Sequence, residues 1–77
     1  MKEWRSMDEI IKVINLNAEA ADLYDRGHFS VIIRNIGEER VFWFDTKGEF
    51  PGHIRNQLIK DLEDQLGLVY LYHINGT

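Results

Sequence analysis

The chain has 77 residues, nine Lys plus Arg against thirteen Asp plus Glu, a net charge of -4 and no cysteine. That size holds one domain, here residues 1–77, whose core is near the lower limit of self-sufficiency, and the missing cysteines exclude disulfides, thiolate catalysis, iron–sulfur clusters and thiolate zinc sites. The acidic balance argues against general adhesion to nucleic acid or anionic membrane, because such adhesion rests on an excess of cations.

The charge is spread along the chain with no acidic tail or basic arm: residues 1–28 hold four basic and six acidic side chains, residues 29–50 three and four, and residues 51–77 two and three. The N-terminus lacks the apolar stretch of a signal peptide, and no segment approaches the roughly 20 apolar residues of a membrane span. A cytoplasmic protein that avoids membranes is expected.

In chain order, Ser6-Met7-Asp8-Glu9 fits a capping box, with the Ser6 hydroxyl taking a backbone N–H at the helix start and Glu9 reaching back. Met7, Ile10, Ile11, Ile14, Ala18, Ala21 and Tyr24 then recur at three- and four-residue spacing. They predict an amphipathic first helix over residues 7–26, stopped by Gly27; Asn15 and Asn17 could bend or split it near the middle, and its continuity is left open.

The β-branched run Phe29–Ile36 predicts the first strand, and Gly37-Glu38-Glu39 turns into a second at residues 40–45. Asp45-Thr46-Lys47-Gly48 has turn chemistry, and Pro51 suits a first helical position. Ile54, Leu58, Ile59, Leu62 and Leu66 make one stripe on the second helix, which Gly67 ends, and residues 68–74 read as the third strand. These elements predict a two-layer α+β domain, order α-β-β-α-β, with a three-stranded mixed sheet packed against two helices.

Little in the chain suggests catalysis. His28, His53 and His73 are 25 and 20 residues apart, unlike the close pairs of zinc helices and fingers. Residues 48–55 gather two glycines, a histidine and an arginine at a helix start, yet lack the Gly-Lys-Ser/Thr ending of a phosphate loop, and Glu49 repels phosphate. Asp61 and Asp64 share a helix face but sit among polar neighbours, the pattern of a solvated helix surface and not of the desolvated cleft that acid–base work needs. No enzyme signature, metal site or cofactor site is expected, and no residue pattern carries a family resemblance.

What stands out is that Val41-Phe42-Trp43-Phe44 and Val69-Tyr70-Leu71-Tyr72 read as strands without alternating. A strand covered on one face alternates apolar with polar, so these demand cover on both faces. A chain this short has little material for that: either the first helix covers one face and the second helix the other, or a surplus face is left that points to a partner, and the second is the expectation. Trp43, Tyr70, Tyr72, Phe42 and Arg34 are the candidate partner-binding residues, with Tyr70 and Tyr72 expected outward because their hydroxyls tolerate water.

The expected function is that of a small acidic, non-catalytic interaction protein. It would bind a protein partner, or itself as a homodimer, through the aromatic sheet face or an open strand edge. By analogy this also describes phage or mobile-element inhibitors and regulators of a host enzyme. The first alternative is a single-stranded nucleic-acid-binding module stacking bases on the same aromatics, which the acidic charge disfavours. The second is a small enzyme or metal protein using the histidines.

Overall fold

A computed structural model describes residues 6–76 of the chain, with side chains over residues 7–73. The elements are α1 (Ser6–Ile14), α2 (Ala18–Asp25), β1 (Phe29–Ile36), β2 (Glu39–Thr46), α3 (Gly52–Leu66), β3 (Val69–Tyr70) and a closing 3₁₀ helix (Leu71–Gly76). The sheet order is β1-β2-β3, with β1 antiparallel and β3 parallel to β2. The α+β class and the α-β-β-α-β order are as the sequence predicts.

The first helix is split at residues 15–17. Asn17 is extended at φ -122 and ψ 109, and its side-chain Oδ1 accepts the backbone N–H groups of Glu19 at 3.0 Å and Ala20 at 3.3 Å. An asparagine inside a helix competes for backbone partners, and here it wins by capping a new helix. The break shifts the phase of the apolar stripe. Ala20 is fully buried while Ala18, on the predicted stripe, is exposed. The side-chain cap expected from Ser6 lies outside the described residues.

α3 follows the prediction closely: Ile54, Leu58, Ile59 and Leu62 are buried, and Gly67 closes the helix in the left-handed region at φ 70. Pro51 sits one position earlier than expected, at the N-cap. The third strand is much shorter than the predicted residues 68–74. Only Val69 and Tyr70 pair, with Val41 and Phe42. Beyond them the chain winds into the 3₁₀ helix, and Glu63 on α3 joins the two, taking the Tyr70 N–H at 2.9 Å and holding His73 at 2.8 Å.

Register assigns the two faces of the sheet. Phe29, Val31 and Ile33 stand on one side with Phe42 and Phe44, while Ser30, Ile32, Arg34 and Ile36 stand on the other with Val41, Trp43 and Asp45. The first side is the core. Phe29, Val31 and Phe42 merge there with Ile10, Val13, Ile14 and Ala20 of α1 and α2, with the α3 stripe, and with Phe50 and Leu68. Phe50, read from sequence only as part of a turn, stacks on Phe29 with centroids 4.3 Å apart and planes 9° from parallel.

Candidate functional site

The five residues proposed from sequence do not form one surface. Trp43 is half-buried opposite Ile32, and Arg34 is exposed opposite Val41; both stand on the side of the sheet away from the core. Phe42 is fully buried on the core side and has no surface to offer a partner. Tyr72 is 66% exposed on the 3₁₀ helix, with its ring 5.5 Å from that of Tyr70.

Tyr70 corrects the expected orientation. It pairs with Phe42 in the parallel ladder, so its side chain shares the core side, and its ring lies 5.2 Å from Phe42 and 5.8 Å from Phe44. Two neighbours in one ladder cannot face opposite ways. Burial pushes the Tyr70 phenol above its ordinary pKa and Tyr72 adds to the rise, while the Arg55 guanidinium pulls it down.

The second side of the sheet carries Ile32 and Ile36 from β1, Val41 and Trp43 from β2, and Val69 from β3. Ile36 is 47% exposed, Ile32, Trp43 and Val69 are half-buried, and Val41 is fully buried. The side chains that the helices pack against all belong to the other side. Among the described residues, no α-helix therefore covers this face. Ser30, Arg34, Glu39 and Asp45 give it a polar margin, and neither Arg34 nor Asp45 has an ion-pair partner among the described residues.

Sequence reasoning missed Ile32, Ile36 and Val69 as members of this face. The signal was present, because Val31-Ile32-Ile33 also fails to alternate and so demands cover on both sides.

The three histidines occupy three separate settings. His28 Nδ1 donates to the Glu49 carbonyl at 2.9 Å, His53 lies 4.0 Å from Glu19, and His73 Nδ1 donates to Glu63 at 2.8 Å. Among the described residues no cluster of three or more His, Cys, Asp or Glu side chains is placed to hold a metal ion. At the start of α3, Arg55 turns back to donate to the Phe50 carbonyl at 3.2 Å and lies over the Phe50 ring. Its guanidinium is thus engaged in closing the turn.

A groove of about 330 Å³ between α2 and the start of α3 is lined by Ala18, Leu23, Pro51 and Ile54, with Glu19, Asp22 and Glu49 beside them. Those carboxylates oppose phosphate binding there. No helix among the described residues is long and apolar enough to cross a membrane. Comparison with known protein families, curated proteins and solved structures finds no match to this chain.

Proposed function

We propose that this domain acts by binding another protein through the helix-free face of its sheet, and not by catalysis. One observation carries the reading: Ile32, Ile36, Trp43 and Val69 gather around the fully buried Val41 on a single sheet face over which no α-helix of the described chain lies. A contiguous apolar surface with a polar margin is the ordinary form of a protein-docking site. Trp43 at its centre and Arg34 beside it are of the residue types that dominate binding energy at such sites.

The test is Trp43→Ser, which leaves the core side untouched. Circular dichroism should report a folded domain, while cross-linking to a protein ligand recovered by the wild type should weaken about 30-fold or more, equivalent to about 2 kcal/mol at a hot spot. Global unfolding of the variant would instead make this face internal core and remove the proposal.

A further inference from the structure

The two edges of the sheet differ in a way that points to a second copy of the chain. At one edge β3 is two residues long, and Glu63 already takes the Tyr70 N–H. At the other, β1 runs eight residues in unbroken register with β2, has no proline, and carries Arg34 as its sole charge. Exposed edges are ordinarily blunted by short length, prolines, bulges or several charges. β1 has little of this protection, and among the described residues no strand pairs along its outer side.

The outward backbone groups can be assigned. The His28 carbonyl accepts the Lys47 N–H at 2.8 Å, so pairing residues alternate from there. Ser30, Ile32, Arg34 and Ile36 turn their backbone groups toward β2, while Phe29, Val31, Ile33 and Asn35 turn theirs outward.

We propose that two copies of this chain join β1 to β1, antiparallel about a two-fold axis at Ile32, into one six-stranded sheet. This goes beyond the docking reading, since it concerns the strand edge and not the face, though it would place two helix-free faces side by side. Charge selects the register. Directly opposed residues in a sheet share a face, so the axis must pass through a residue position. With the axis at Ile32, Arg34 falls opposite Ser30 of the second copy, and the β2 neighbour of that serine is Asp45. The guanidinium can reach over the small serine to the carboxylate, and the same pair forms again by symmetry.

Between the two charge pairs, Trp43 and Ile32 of one copy line up with Ile32 and Trp43 of the other. Neighbouring registers lose this match. An axis at Arg34 opposes the two guanidinium groups. An axis at Val31 sets Arg34 against His28 and the adjoining Lys47, and an axis at Ile33 leaves Arg34 against Ile32 and Asp45 without a cation.

The experiment is sedimentation of the full chain over a concentration series, for the wild type, Arg34→Glu, Asp45→Arg and the double variant. Both positions are exposed, so the fold should survive, as circular dichroism will show. The wild type should dimerise, each single reversal should weaken association about tenfold or more, and the double reversal should restore it. Amide exchange gives a reading that needs no variant: the Val31 and Ile33 N–H groups should be protected at high concentration and lose protection on dilution, while those of Ile32 and Arg34 stay protected throughout.

A wild type that stays monomeric at millimolar concentration overturns the proposal, as does a double variant no better than the single ones. The two readings fail separately. A monomer whose Trp43→Ser variant loses a protein ligand removes the edge pairing and keeps the docking face. A dimer with the rescue pattern, in which Trp43→Ser changes no protein binding, does the reverse.

Discussion

The Glu63 carboxylate of α3 accepts the backbone N–H of Tyr70, the last residue of the third strand, at 2.9 Å. The same oxygen receives His73 Nδ1 at 2.8 Å, so one side chain holds both β3 and the 3₁₀ helix that follows. Glu63→Ala should cost about 1–3 kcal/mol in urea denaturation, the range for a hydrogen bond to a charged group together with a donor left without an acceptor. Glu63→Gln, which keeps an acceptor oxygen, should fall between. A variant as stable as the wild type would mean that the parallel ladder alone holds the terminus.

Leu62 is fully buried on the α3 stripe, beside the likewise buried Leu58. Leu62→Ala removes core atoms and leaves a cavity, for an expected loss of about 2–5 kcal/mol. In a domain this small that is a large share of total stability. A loss below about 1 kcal/mol in chemical denaturation would contradict the packing assigned to α3.

At the break between α1 and α2, Asn17→Ala deletes the acceptor for two backbone N–H groups and should cost about 0.5–2 kcal/mol, whereas Asn17→Asp should retain most of the cap. Thermal denaturation of the pair separates capping from mere side-chain loss. Equal stability of the alanine and aspartate variants would argue that packing of Ala20 alone sets where α2 begins.

The raised pKa of Tyr70 fixes the sign of a pH effect. Burial, its largest cause, disfavours the phenolate, so the folded chain keeps this proton at pH values where the unfolded chain has lost it. The stability from this group is complete below the ordinary value of 10.0 and declines as pH rises through the folded value. Tyr70→Phe should therefore flatten the alkaline fall in urea midpoint between about pH 9 and 11 relative to the wild type. Parallel curves for the two proteins would show that this phenol does not contribute.

What the sequence made legible was whatever depends on local pattern. The span of β1, the stripe of α3, the left-handed stop at Gly67 and the breaking power of Asn15 and Asn17 all follow from periodicity and backbone chemistry. The side taken by Tyr70 did not. It depends on β3 pairing with β2 in one register, and on Glu63 reaching across from a different element, neither of which leaves a mark within Val69-Tyr70-Leu71-Tyr72. Phe50 was hidden for the same reason, since its stacking partner Phe29 is far away along the chain. The helix-free face was half legible: the missing alternation in β2 announced it, but its members became identifiable only once the β1–β2 register placed Ile32 and Trp43 together.

The break at residues 15–17 also bears on how the domain assembles. α1 has nine residues and α2 eight, both short of the roughly 12–15 that an isolated helix needs to persist in water. The β1–β2 hairpin, by contrast, closes through Gly37 and Glu38 alone, and α3 is fifteen residues long. Early structure is expected in the hairpin and α3, with α1 and α2 gaining their hydrogen bonds only after Phe42 and Leu58 offer a surface to settle on. In stopped-flow measurements Ile10→Val should then quicken unfolding and leave the refolding rate almost unchanged, while Leu58→Ala slows refolding. Changes in the first third of the chain would set how long a folded molecule lasts far more than how quickly it forms.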